Sequence, residues 1–131
     1  MPARLRPADP ADVAAALARH RAGAAERADL RLLVKHVLAV LETRAPGRSV
    51  EVRVPPYAAV QIIEGVRHTR GTPPAVVETD AATLIALATG ELDWADAEES
   101  RAVRASGERA DLTPYLPILP GPAPESRMSA S

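Results

Sequence analysis

Between Val76 and Leu116 the sequence is punctuated so closely that few backbone paths fit it. Asp80 stands before an apolar run and offers its carboxylate to the first free amides of a helix. Ala81, Leu84, Leu87 and Ala88 then recur at three- and four-residue spacing, and Gly90 supplies the left-handed residue that closes such a helix. Asp93, with Asp96 in the first turn, predicts a second short helix from Trp94 to about Glu99. Arg101 to Ser106 alternates polar and apolar, sending Val103 and Ala105 to one side until Gly107 breaks the run. Val76 and Val77 read as the end of a preceding strand, and Asp111-Leu112-Thr113-Pro114 opens a last helical turn carrying Leu112, Tyr115 and Leu116. The predicted order is strand, two short helices, strand, terminal turn.

Upstream, residues 1–8 read as a polar leader, and Asp9-Pro10 is a strong helix start. Val13, Ala16 and Leu17, with His20, mark that helix's inner stripe, and Gly23 ends it. His20 has no ligand partner at helical spacing and reads as a surface or packing histidine. A second helix, Asp29 to Arg44, carries the widest apolar stripe: Leu30, Leu33, Val34, Val37, Leu38 and Leu41. Such a stripe packs flat on a sheet or walls a cavity, and the residues do not separate the two. His36 falls off it and is expected in solvent. Val50 to Val54 alternates strictly, Pro55-Pro56 forces a turn, and Tyr57 to Ile63 follows as a strand. One face of that strand, Ala58, Val60 and Ile62, is wholly apolar, and the other is mixed. A strand of this kind is expected at the centre of a sheet or bordering a pocket.

A chain of 131 residues is expected to form one domain, here placed at residues 9–116. It has no Phe, two Tyr and one Trp, so Leu, Val, Ile and Ala must build the core. These small side chains leave room for a residual apolar cavity without establishing one. A net charge of −1 argues against a dedicated nucleic-acid binder. The absence of Cys removes disulfides, thiolate catalysis and the usual zinc clusters. No apolar run nears the ~20 residues of a membrane span, and Asp9, Asp12 and Arg19 interrupt any signal region, so a cytoplasmic protein without integral membrane association is expected. From Pro117 four prolines in eight residues, then small polar residues to Ser131, predict a disordered tail over 117–131.

The order and spacing of Asp80, Thr83, Leu84, Ala86, Leu87, Thr89, Gly90, Leu92, Asp93 and Gly107 resemble the C-terminal half of sterol carrier protein-like domains. The preceding run, VEVRVPPYAAVQIIEGVRHTRGTPPAVVETD, is similar to bacterial sterol carrier orthologues of the actinobacterial type. The resemblance covers Val50 to Leu116 well and the N-terminal helices loosely. It implies an α/β (α+β) fold: a mostly antiparallel sheet of about five strands, helices on one face, and an apolar tunnel between. Four strands are placed above, and Val66 to Thr69 is the candidate for the fifth. The implied function is non-catalytic binding of a fatty acyl chain, lipid or sterol-like molecule, with no cofactor. Each methylene withdrawn from water contributes about 0.8 kcal/mol, which holds a hydrocarbon without polar catalysis.

The expected lining residues are Val60, Ile62, Leu84, Leu87, Trp94, Val103, Leu112 and Leu116, each equally at home in an ordinary core. Arg67, His68 and Arg70 fall close together and could hold a phosphate or carboxylate at a pocket mouth, or simply keep a connecting loop solvated. Glu64 with His68 could form an acid–base pair, but spacing across Gly65 does not secure it. Two other roles stay open: an accessory module like those attached to isomerases and acetyltransferases, and a filled-core interaction module.

Overall fold

A computed structural model describes residues 5–65, 75–107 and 110–121. Helix α1 spans Pro10–Arg21, and the Asp9 carboxylate accepts from the Ala11 amide at 2.8 Å. Helix α2 spans Arg27–Arg44, starting two residues before the predicted Asp29. The reason is reciprocal capping: Asp29 accepts from the Glu26 amide at 3.0 Å while Glu26 receives the Asp29 amide. Strands β1, Val50–Val54, and β2, Ala58–Ile62, form a hairpin across Pro55-Pro56. Strand β3, Ala75–Thr79, then lies parallel to β1, on the side away from β2.

Helix α3, Ala81–Thr89, begins with the Asp80 carboxylate accepting from the Thr83 amide at 2.8 Å and ends at Gly90 with φ +82. Helix α4 spans Trp94–Glu99 as expected, although Asp93 makes no side-chain capping bond. Strand β4, Val103–Ser106, pairs antiparallel with β3, and a 3-10 turn follows at Thr113–Tyr115. The fold is α+β, with a four-stranded sheet among the described residues in the order β2-β1-β3-β4. The candidate fifth strand, Val66 to Thr69, lies outside the described residues. The sheet is antiparallel except where β1 meets β3.

Register fixes which face is which. Val50, Val52 and Val54 pair across the sheet with Ile62, Val60 and Ala58, and Val50 and Val52 also face Ala75 and Val77. This face is buried, and the stripes of α2 and α3 complete the same core. Arg53, Ala59, Gln61, Arg104 and Ser106 face outward and are exposed. Among the described residues strand β2 pairs with β1 alone, and its apolar side faces the helices. Beyond it Ile63 leaves the sheet with φ +66, its amide bonded to the Ala45 carbonyl at 2.6 Å.

Both ends of the domain extend past the expected boundaries. In the leader, the Leu5 amide donates to Glu42 Oε1 at 3.2 Å and the Ala8 amide to His36 Nδ1 at 3.0 Å. His36 is thus half-buried under the leader and not in solvent. The expected tail is corrected in the same way, because Pro117–Gly121 belongs to the fold. Ile118 and Leu119 amides donate to the Ala88 carbonyl at 2.7 and 2.9 Å, Arg44 donates to the Pro117 carbonyl, and Leu119 is buried. Residues 122–131 lie outside the described residues.

The His36 contact predicts a pH dependence. Burial lowers the imidazole below its ordinary value of 6.5, and an accepting Nδ1 places the ring proton on Nε2. The unfolded chain then takes up a proton at higher pH than the folded one. Stability is complete above about 6.5, declines as pH falls below it, and levels off once folded His36 is itself protonated. Protonation turns Nδ1 into a donor facing the Ala8 N–H, a loss of about 1 kcal/mol. Urea titrations between pH 7.5 and 5 should show this decline, and His36→Gln should remove it. A profile unchanged by that substitution refutes the assignment.

Candidate functional site

The expected lining residues come from separate elements. Val60 and Ile62 stand on the inner side of β2, two residues apart as its pleat requires. Leu84 and Leu87 stand on α3, Trp94 opens α4, Val103 opens β4, and Leu112 precedes the terminal turn. All seven are buried in one contiguous apolar cluster, and Leu116 is half-buried against it. The sequence missed several contributors to the same cluster. Ile85 and Leu119 are buried there too, Ile85 beside the α3 stripe and Leu119 within the proline run. The adjacent apolar pair Ile118-Leu119 was the available signal, since solvated tails rarely carry one.

Charge is kept out of this layer. Among the described residues the buried polar side chains are Asp29, Thr79 and Thr89. Asp29 lies at the α1–α2 junction, where Arg19 reaches its two oxygens at 2.8 and 3.0 Å. That guanidinium, then the Glu26 amide, holds the Asp29 carboxyl below its ordinary value. Thr79 donates to the Ala102 carbonyl at 2.7 Å and Thr89 to the Ala86 carbonyl at 3.0 Å. Trp94 Nε1 is buried without a partner.

Two depressions, of about 260 and 200 Å3, lie on the other side of the sheet and share Glu78 and Arg104. These two side chains form an ion pair at 3.4 Å, and Arg101 and Asp80 border the larger hollow. Arg104 is well exposed and Glu78 partly so, and the contribution of the pair is small. The polar-mouth residues Arg67, His68 and Arg70 lie outside the described residues, as does the His68 half of the Glu64–His68 pair. Among the described residues no three His, Asp or Glu side chains converge as metal ligands, and no helix is long and apolar enough to cross a membrane.

A sheet with one face under helices, an aliphatic layer between and an open polar face defines an α+β domain of the sterol carrier type. The family described as bacterial SCP ortholog matches residues 26–118, and the chain belongs to this bacterial sterol carrier protein-like family. The match takes in α2 through the terminal turn, and so every element that carries an expected lining residue. No curated protein matches the chain.

Proposed function

We propose that the domain binds an apolar molecule non-catalytically, between the inner face of the sheet and helices α2 and α3, and carries it in the cytoplasm. The observation that supports this best is the uniform chemistry of that layer: aliphatic side chains from the sheet and both helices, with no cationic side chain buried among them in the described residues. Family membership supports a carrier role in general. Val60, Ile62, Leu84, Leu87, Trp94, Val103, Leu112 and Leu116 are the proposed contacts, with Arg67, His68 and Arg70 at the mouth. A guest would enter by separating packed walls, so its hydrocarbon must replace the contacts it disrupts. A chain of ten methylenes brings on the order of 8 kcal/mol of transfer free energy to that exchange.

The test is organic extraction of purified protein followed by mass spectrometry, with a fluorescent acyl probe titrated against Trp94 emission. A co-purifying lipid and a saturable change in emission are the expected results. No extracted lipid together with unaltered emission would reject the proposal.

A second reading, an interaction module with a filled core, is favoured by the outer hollows around Glu78 and Arg104. It predicts an empty extract and a partner whose binding weakens when Arg104→Glu reverses the charge of that face.

A further inference from the structure

Trp94 is the chain's one tryptophan, it opens α4, and it is 7% exposed. Its indole Nε1–H has no hydrogen-bond partner. Among the described residues the other buried polar side chains are satisfied: Asp29 by Arg19 and Glu26, Thr79 by Ala102, Thr89 by Ala86. A donor taken out of water without a replacement is costly, and native cores hold few of them. Phe would fill a similar volume without that loss. A trapped water needs two to four polar partners. Among the described residues the buried side chains clustered with Trp94 are aliphatic, which leaves only backbone groups to hold one.

We propose that Trp94 Nε1–H donates to an oxygen of the bound molecule, making the site selective for amphiphiles over plain hydrocarbons. The oxygen is charge-neutral, that of an alcohol, an ester or a ketone. Among the described residues no cation is buried in the core to balance a carboxylate, whose desolvation alone would oppose entry. This inference rests on the apolar-ligand reading and adds to it the one polar contact that orients the guest.

The lone indole gives a single N–H cross-peak, so the contact is read directly by nitrogen–proton correlation spectroscopy. Wild-type protein is titrated with dodecanol, dodecane and ionised dodecanoate, each delivered from cyclodextrin, with displacement of an acyl probe as the affinity readout. Dodecanol should move the indole proton downfield and dodecane should not. In Trp94→Phe the ratio of dodecanol to dodecane affinity should fall about tenfold from its wild-type value. Dodecanoate should bind more weakly than dodecanol. Equal binding of dodecanol and dodecane with an unmoved indole peak overturns the inference and leaves the apolar-ligand reading standing. Tighter binding of dodecanoate overturns the neutral-oxygen assignment. An indole proton in contact with a long-lived water in both free and loaded protein assigns the donor to that water and overturns it too. If none of the three displaces the probe or shifts a resonance, the apolar-ligand reading falls and the inference with it. The spectra come from wild-type protein, so the outcome does not depend on the variant folding.

Discussion

Gly47→Ala is expected to unfold the domain or cost on the order of 4 kcal/mol, far above the ordinary effect of one added methyl. Gly47 has φ +147, a conformation that side chains rarely adopt. A Cβ there would sit against the backbone of Ile63 and Glu64, closer than any real contact. Those atoms cannot swing aside. The Ile63 amide is bonded to Ala45, and its carbonyl receives both the amide and the hydroxyl of Ser49, at 2.9 and 2.6 Å. This knot ties the end of α2, the start of β1 and the exit of β2 together, so relieving the clash displaces three elements at once. Gly90→Ala is the control. It also has positive φ, +82, but nothing lies within 4 Å of its added carbon. That variant should lose only the left-handed penalty, about 1 kcal/mol. Urea unfolding of both variants measures the difference. Equal losses would mean that conformation alone, and not collision, explains Gly47.

The contrast between these glycines also marks how far the sequence could be read. Gly90 acts through its own backbone, in a pattern that begins at Asp80 and is complete within eleven residues, so it is visible in one dimension. The same holds for the Asp9 cap and the strict alternation of β1. Gly47 carries no such local signal, because its partner, Ile63, arrives from sixteen residues downstream once β2 has turned back. Long-range contacts account for the other departures. His36 was placed in solvent because α2 alone shows it off the stripe, and the leader that covers it packs from 28 residues away. Strand β2 was expected at the centre of a sheet or beside a pocket from its composition; among the described residues it pairs with β1 alone, and a strand under helices needs the same apolar face wherever it lies. The site was legible to the same degree. Periodicity picks out side chains that end up buried, as Leu84 and Leu87 do, because burial is what it encodes. It could not show that Trp94 Nε1 would be left unpaired, because that depends on what every other element brings near it.

A chain ending at Leu116 should lose about 3–5 kcal/mol, a large share of an ordinary domain's stability. Composition alone predicts no loss, since prolines and small polar residues lack core-forming power. The geometry predicts otherwise. An α-helix leaves its last four carbonyls without intrahelical donors, and each must find one elsewhere. In α3 the Ala86 carbonyl receives the amides of Gly90, Glu91 and Leu92, and the Leu87 carbonyl receives Gly90. Ala88 is itself fully buried, and its carbonyl is satisfied by Ile118 and Leu119. Truncation orphans that carbonyl, at a cost of about 1–3 kcal/mol. It also exposes the surface under Leu119, whose side chain contributes about 2 kcal/mol when buried. Arg21 and Arg44 lose the carbonyls of Pro120 and Pro117, smaller terms at an exposed surface. Leu119→Ala separates the two main effects, because it keeps both amides and removes only the buried side chain. It should cost about 2–3 kcal/mol, less than the truncation. A chain ending at Gly121 retains every one of these contacts and serves as the reference. If thermal midpoints of the two truncations coincide, the segment 117–121 is a passenger, and the end of α3 is satisfied by water.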